Sequence, residues 1–561
     1  MFRIPKRASI FNHLPLFSVT AALLMAFMAL SCNEERDERA PAQLLVLPVM
    51  EAAAVDEGTR FEPTMLGLAP GATNSEMRFN WYGAKRVSKA WVRLFRNGGL
   101  VSVTAGTSGV VLPRTTNTCT DYDCRNDSLS WHKASVTGLS PATAYEYSVS
   151  NDSVNWSHRY EFKTPAAGPF SFAFVTDPQI TRGNQDCSSW GGGYCSTPNT
   201  AAQGWLEVVG KIAARNIPLI VSGGDQVDHY GTTSNLTADE GEYERFFAPA
   251  PLRSIPFAPV MGNHDVHDQF AYHFNPPNLP RYSCSYPVRQ DVCYDMSTQN
   301  AHSYYYLYNN VLFIALNSGN YVQESAAAGR VKAMDDLIKK AKTEHSGQYD
   351  WIIVHHHRST HCQGSQMTDP TTGYLVAAGL NKIMVQNGVH LVLSGHDHTY
   401  SRSHVITVAD TTAPGKIDLS ATSAAATAPT TGSSAGKINM SAAGERTVTL
   451  DTAGTLFIGG TSASGGKYYP LGYSSDANAN YPFFRDGTKG AAANTNHGKP
   501  TWAANVYEQR RSPEYIIFDV DRSSIRMRAF KVNDDASPAD EVTIVKKGGG
   551  NTSILRDLRG F

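Results

Sequence analysis

Short apolar runs punctuate the chain from residue 170 onward: "FSFAFVTD", "PLIVSGGD", "PFAPVMGNHD", "VLFIALNS", "DWIIVHHH" and "VHLVLSGHDH". Runs of this length bounded by Gly, Asn and Asp predict strands buried on both faces. Between them, "AAQGWLEVVGKIAARN" and the segment near 324–345 space their apolar residues by three and four, which predicts amphipathic helices, with a shorter helix near 379–387. Strands alternating with helices predict an α/β domain. Strand patterns return in "GTLFIGG", "YIIFDVD", "IRMRAFKV" and "VTIVKK", which would complete its sheets.

Upstream, from 62 to 165, the period changes to two. "MRFNWYG", "AWVRLFRNG" and "AYEYSVS" alternate apolar and polar residues between Gly, Asn and Pro signals, a pattern suited to a small β-sandwich. The segments "VTGLSPATAYEYSV" and "YEFKTP" resemble the end of a fibronectin type III-like module and the β-domain that precedes the catalytic domain of purple acid phosphatases. A stretch rich in Ala, Thr, Ser and Gly at about 410–445 reads as a long surface insertion.

The first residues change the setting. Arg3, Lys6 and Arg7 precede the apolar run from Leu14 to Leu30, the layout of an export signal. The run ends at "ALSC", which resembles the bacterial lipoprotein box, so Cys32 is expected to be the lipidated first residue after processing of 1–32; an uncleaved membrane anchor is the alternative. Residues 33–61 then form a tether, and the rest of the chain lies outside the cytoplasm, in the cell envelope or secreted. In that setting the close pairs Cys119/Cys124, Cys187/Cys195 and Cys284/Cys293 read as local disulfides, leaving Cys362 over. With 49 basic and 50 acidic residues and no basic block, nothing points to nucleic acid as a partner.

The chemistry lies in what each strand runs into. Asp177, Asp225, Asn263 with His264, His355–His357, and His396 with His398 all stand at the carboxyl ends of predicted strands, where open α/β sheets bind ligands. Each alone reads as a cap, a turn or a core histidine. Packed together without a cation, the carboxylates and imidazoles would be desolvated and mutually repelled, and divalent metal removes that conflict.

The ordered set "DPQ", "GGDQVD", "GNHD", "HHHRS" and "GHDH" resembles the blocks of the calcineurin-like metallophosphoesterases over about 170–402. The resemblance implies an N-terminal all-β sandwich (fibronectin type III-like) followed by an α/β metallophosphoesterase domain of αββα sandwich type, at 62–165 and 170–548. It also implies a dinuclear centre of two divalent or trivalent transition-metal ions, with Fe, Mn, Zn and Co all compatible with an oxygen and nitrogen ligand set. Asp225 would bridge the metals, Asp177 and His398 would hold the first, and Asn263, His396 and one histidine of the 355–357 run would hold the second. Within that run His357 is favoured by its distance from Trp351 and by "HRS", and His356 is the rival. His264 would face the substrate as proton donor or charge stabiliser with Asp265 orienting it, and a metal-activated hydroxide would attack a small-molecule phosphate mono- or diester. A surface binding or adhesion lipoprotein on the same fold is the competing function.

Two positions depart from the family pattern. Gln179 stands where many members have a histidine, a neutral ligand at best. Asp228 stands where purple acid phosphatases have the tyrosine that colours them, with Tyr230 out of register, so no purple chromophore is expected. Tyr272, His273 and Tyr282, in the segment after the third block, are candidates for substrate contact.

Overall fold

The computed structural model describes residues 61–83, 89–111, 129–181, 194–195, 198–228, 236–265, 267–279, 302–319, 322–362, 366, 369–403, 405–406, 446–450, 454–469, 504–508 and 512–546. The export signal, Cys32, the tether, the 410–445 insertion and Tyr282 lie outside these residues, as does at least one cysteine of each proposed pair.

Seven strands form the N-terminal layers: β1 (Thr64–Pro70), β2 (Met77–Gly83), β3 (Ala90–Arg96), β4 (Gly99–Val110), β5 (Ser130–Val136), β6 (Ala144–Ser150) and β7 (Tyr160–Lys163). They run in the order β1-β2-β5-β4-β3-β6-β7. The long β4 pairs with β3 through Gly106 and with β5 from Thr107, so it passes from one layer to the other. Alternating side chains of both layers, among them Phe79, Trp81, Val92, Leu94, Tyr147 and Val149, meet in one buried core.

The second part contains β8 (Phe170–Val175), β9 (Tyr194–Cys195), α1 (Pro198–Ala214), β10 (Ile220–Ser222), α2 (Leu236–Phe246), β11 (Phe257–Ala258) and α3 (His267–His273). It continues with β12 (Tyr304–Tyr308), β13 (Val311–Leu316), α4 (Glu324–Glu344), β14 (Trp351–Arg358), α5 (Pro370–Ala377), α6 (Leu380–Gln386), β15 (Leu391–Gly395) and β16 (Tyr400–Ser403). The last strands are β17 (Arg446–Leu450), β18 (Leu456–Gly459), β19 (Lys467–Tyr468), β20 (Ala504–Glu508), β21 (Glu514–Val520), β22 (Ser524–Lys531) and β23 (Asp540–Lys546).

Two seven-stranded sheets result, β11-β10-β8-β21-β22-β23-β17 and β12-β13-β14-β15-β18-β16-β20, with β19-β9 as a separate pair. The largest core lies between the sheets, where Phe172, Phe174 and Phe518 of one oppose Phe313, Ile353 and Leu393 of the other. Trp205, Val208 and Ile212 of α1 pack on the outer face of the first sheet, and Val331, Met334 and Ile338 of α4 on that of the second. The layers are therefore α, β, β, α.

β8, β10 and β11 are parallel, as are β13, β14, β15 and β18, so their carboxyl ends point to one edge. The C-terminal strands close both sheets by antiparallel pairing, as in β21 on β8. Only Phe257 and Ala258 of the expected "PFAPVMGNHD" strand pair as a strand, and the rest is already site loop.

Candidate metal centre

At this edge the backbone is bent in a particular way. Asp177, Gln179, Asp225, His396 and His398 have φ of 49°, 38°, 52°, 71° and 50°. Left-handed backbone costs non-glycine residues roughly 1–3 kcal/mol each, and Asp and His are among those that tolerate it best. Backbone pairing fixes the bends, since Asp177 N–H donates to Gly224 O at 3.0 Å and Gln179 N–H to Asp225 O at 2.9 Å. Glycine is required twice by close approach: a Cβ at Gly262 would overlap the Asp225 carboxylate, and one at Gly395 would overlap Thr176 and Asp177.

On β14 the side chains alternate. Trp351 and Ile353 face the core between the sheets, and Ile352 and Val354 face the helices. His355 and His357 follow the first pair, with Nδ1 atoms 2.8 Å from the Ser222 and Gly223 carbonyls. His356 follows the second, with its Nδ1 3.4 Å from Ser318 Oγ. It is His357 whose Nε2 reaches Asn263 Oδ1 at 2.9 Å and Asp225 Oδ2 at 3.2 Å. A register shift between β14 and β15 falls between His355 and Arg358, a bulge of the kind that re-aims side chains beside active sites.

Asp225, His357 and His396 are buried, and one ligand atom from each lies within 4.8 Å of the others. On the other side of Asp225, His398 Nε2 is 3.3 Å from Asp177 Oδ1. Gln179 gives its Nε2 to Asp225 Oδ2 at 3.1 Å, so the amide as oriented turns nitrogen, not oxygen, to that carboxylate.

These residues fit a metal. A carbonyl accepts only a proton, so the bonds from His357 to Gly223 O and from His398 to Lys467 O (2.8 Å) put the hydrogen on Nδ1 and turn Nε2 toward the carboxylates. That second bond to a backbone carbonyl is what metal-ligating histidines ordinarily make. Asp177 Oδ1 and Gln179 Oε1 are buried with no hydrogen-bond partner. Burial alone would raise the Asp225 pKa, but His357 and His264 outweigh it and hold the group far below the usual carboxylate range. Burial alone would lower His357, but Asp225 overrides it and pushes the imidazole up to about 9. Without a metal, a proton stands between these two groups. Burial, joined by the neighbouring His357 and His355, instead lowers His356 to about 3.

His264 N–H donates to Asp225 Oδ1 at 2.9 Å, and its Nδ1 lies 3.1 Å from Asp228 O and 3.4 Å from Asp228 Oδ1. Its ring is thus oriented by Asp228 rather than by Asp265, whose two oxygens accept the Gln226 and Gly262 amides at 3.0 and 2.8 Å. Asp265 ties the second block to the third because their backbones lie on either side of it.

Several participants escaped the sequence patterns. Arg358 donates from Nη1 to His396 Nε2 at 2.9 Å and to Asp369 Oδ2 at 2.6 Å, and Asp369 also caps α5 through Thr372 N–H. Lys467 and Tyr469 belong to the "SASGGKYY" loop, and the Tyr469 ring lies 4.7 Å from that of His398. The adjacent arginine in "HHHRS" was the one visible hint. Tyr272 and His273, expected over the metal edge, lie instead under the sandwich. Tyr272 stacks on Trp131 at 6.3 Å, and His273 stacks on Tyr82 at 4.5 Å while pairing with Glu240 at 2.9 Å. Helix α3 turns both rings away because the sandwich offers a buried aromatic face.

Residues 170–400 match the family model for calcineurin-like phosphoesterases, and residues 63–164 that for the N-terminal domain of purple acid phosphatases. No curated protein matches the chain. Among solved structures, purple acid phosphatase PPD1 from yellow lupin (Lupinus luteus) seeds aligns with a TM-score of 0.55 and 13% identity, covering 87% of this chain and 75% of that one, a likeness of fold. GAP50, the anchor in the inner membrane complex of Plasmodium, aligns over 68% of this chain and 90% of its own at 11% identity with a TM-score of 0.38. The two family matches follow one another along the chain, so residues 170–400 form a calcineurin-like phosphoesterase domain and residues 63–164 a purple acid phosphatase N-terminal domain, the assignment of a phosphoric ester hydrolase.

Proposed function

We propose that this chain hydrolyses small-molecule phosphate mono- or diesters at a dinuclear metal centre held by the strand-end residues. The observation that carries this reading is the convergence of Asp225, His357 and His396 within 4.8 Å, flanked by the Asp177–His398 contact. Asp225 has two oxygens to share between ions. Asp177 and His398 would complete one position, and Asn263, His357 and His396 the other. Gln179 contributes to the first only if its amide turns over. When bound, the ions would supply Lewis-acid charge for the phosphoryl oxygens and lower the pKa of the attacking water.

The chain's own groups do the rest. The Asp228 carbonyl fixes the His264 proton on Nδ1, which leaves Nε2, 3.9 Å from Asp225 Oδ2, to exchange a proton with the leaving oxygen. Burial lowers the His264 pKa against the pull of Asp225 and Asp228. The net shift is downward, so the ring favours its neutral form and would have to take up a proton before delivering one. Arg358 Nη1 takes up the single lone pair of His396 Nε2, so His396 would hold an ion through that nitrogen only once the guanidinium moves off it.

The test is hydrolysis of a mono-aryl and a bis-aryl phosphate by metal-loaded protein, compared with Asn263→Ala and His396→Ala. Loss of activity in both variants is expected, and unchanged activity in both would sink the reading. We also infer export and lipid anchoring at Cys32, on the charged leader, the apolar run and "ALSC". Release of Cys32→Ala into the soluble fraction is expected, and equal membrane retention would count against it.

A further inference from the structure

Arg358 closes β14 within the bulge that re-aims the end of that strand. Its buried guanidinium has three partners: Nη1 donates to His396 Nε2 at 2.9 Å and to Asp369 Oδ2 at 2.6 Å, and Nη2 donates to Gly319 O at 3.1 Å. Asp369 and the Gly319 carbonyl are ordinary seats for a guanidinium. His396 is not, because it is one of the three residues whose ligand atoms converge within 4.8 Å.

An imidazole that accepts a hydrogen bond at Nε2 is neutral and carries its hydrogen on Nδ1. An ion on Nε2 needs the lone pair that Arg358 occupies. An ion on Nδ1 needs that nitrogen bare, which puts the hydrogen on Nε2, where it would face an Arg358 N–H donor to donor. Whichever nitrogen it uses, His396 cannot bond the guanidinium and an ion at once. The histidine is not the part that yields: its N–H donates to Asp177 Oδ2 at 2.8 Å, its φ is 71°, and its ring packs edge-on against that of His357 at 4.9 Å. Arg358 has a long side chain and a buried Nε with no hydrogen-bond partner, so only the far end of its guanidinium is held. Moving off His396 leaves its bond to Asp369 available. Asp369 Oδ2 also lies 3.8 Å from His396 Nε2, the nearby acceptor should that nitrogen carry the hydrogen.

We propose that Arg358 is a built-in competitor for the metal at the position of Asn263, His357 and His396: it caps His396 while that position is empty and is displaced when an ion enters. This rests on the metal-centre reading and adds to it that the chain's own cation lowers the affinity of one of the two positions. Arg358 acts here as a positioning residue, through a ligand and not through the substrate.

The probes are manganese and zinc, each alone, titrated into chelator-stripped full-length protein against a competing indicator. The double variant Arg358→Met/Asp369→Asn removes the buried pair together, so neither charge is left uncompensated, and asparagine still caps α5. Loss of a competing charge-assisted hydrogen bond should tighten one of the two affinities about ten-fold, with the number of ions unchanged. Arg358→Lys, which keeps a cation beside Asp369, should fall between wild type and the double variant. A merely structural role for Arg358 predicts the opposite sign, so unchanged or weaker binding in the double variant overturns the competitor. A crystal structure of zinc-loaded wild type tests the exchange without any variant. Arg358 Nη1 is expected to have left His396 Nε2, and a retained bond of about 3 Å beside a bound ion overturns the exchange. Wild type that takes up neither metal removes the centre and the competitor with it. Tighter binding in the double variant, with no hydrolysis of either aryl ester by wild type, fails the phosphoesterase reading and leaves the competitor standing.

Discussion

Asp540, at the start of β23 in the first sheet, reaches across the inter-sheet core to β16 in the second. Arg402 donates to it from Nε at 2.8 Å and from Nη2 at 3.1 Å, and Tyr400 Oη donates at 2.6 Å. All three residues are 0% exposed, so no solvent screens the charges. Asp540→Ala leaves a buried guanidinium uncompensated and strips the tyrosine of its acceptor. Breaking such a pair from one side costs about 3–5 kcal/mol, a large part of the ~5–15 kcal/mol that keeps a domain folded. Urea unfolding followed by tryptophan fluorescence, with the denaturant slope held as a check on two-state behaviour, measures the loss. The triple variant Tyr400→Phe/Arg402→Met/Asp540→Leu removes donors and acceptor together and should return most of the stability, since apolar replacements of buried ion pairs are often neutral or better. A loss under about 1 kcal/mol in Asp540→Ala, or a triple variant as weak as the single, would refute the reasoning. Because Tyr400 follows His398 by two residues, Asp540→Ala should also retain less metal than wild type, which mass spectrometry reads directly.

Other expectations follow from the same geometry. His357 is raised to about 9 in the metal-free fold, above about 6.5 when unfolded; its contribution is complete below about pH 6.5 and lost as pH rises through about 9. That loss, about 3 kcal/mol, should show in urea midpoints of chelated wild-type protein from pH 6 to 10, and His357→Asn should lack it. Metal uptake near pH 7.5 should release about one proton per chain as the ion replaces the His357 proton, and calorimetry in buffers of different ionisation enthalpy counts it. Gly395→Ala should lose metal and activity together, because its methyl overlaps the Asp177 carboxylate; retention of both would mean the loop can shift. With Asp228 in place of a tyrosine, the iron-loaded protein should show no purple absorption band in a visible spectrum.

The strand ends were legible in the sequence because a buried strand that stops at an acid or a histidine leaves two signals side by side, apolar run and ligand. The period of two along "WIIVHHH" likewise separated His356 from its neighbours, since alternation in a strand is geometric and independent of context. What could not be read were contacts that depend on direction after a strand ends. Tyr272 follows the third block closely, yet α3 carries it to Trp131. Asp265 neighbours His264 in sequence, yet backbone amides of two loops claim it. Lys467 lies beyond the low-complexity stretch, and the hydrogen bonds of Ser462 and Ala463 to the first block bring it beside His398.

The left-handed bends at Asp177, Gln179, Asp225, His396 and His398 bear on how such a site changes over generations of sequence. The bends are held by amide-to-carbonyl bonds and by glycines, not by the side chains that project from them. One side chain can therefore be exchanged while the frame stays, as Gln179 illustrates in a backbone that would carry a histidine equally well. A frame of this kind lets one side chain change at a time, and Gln179→His is the exchange that would restore the commoner first block.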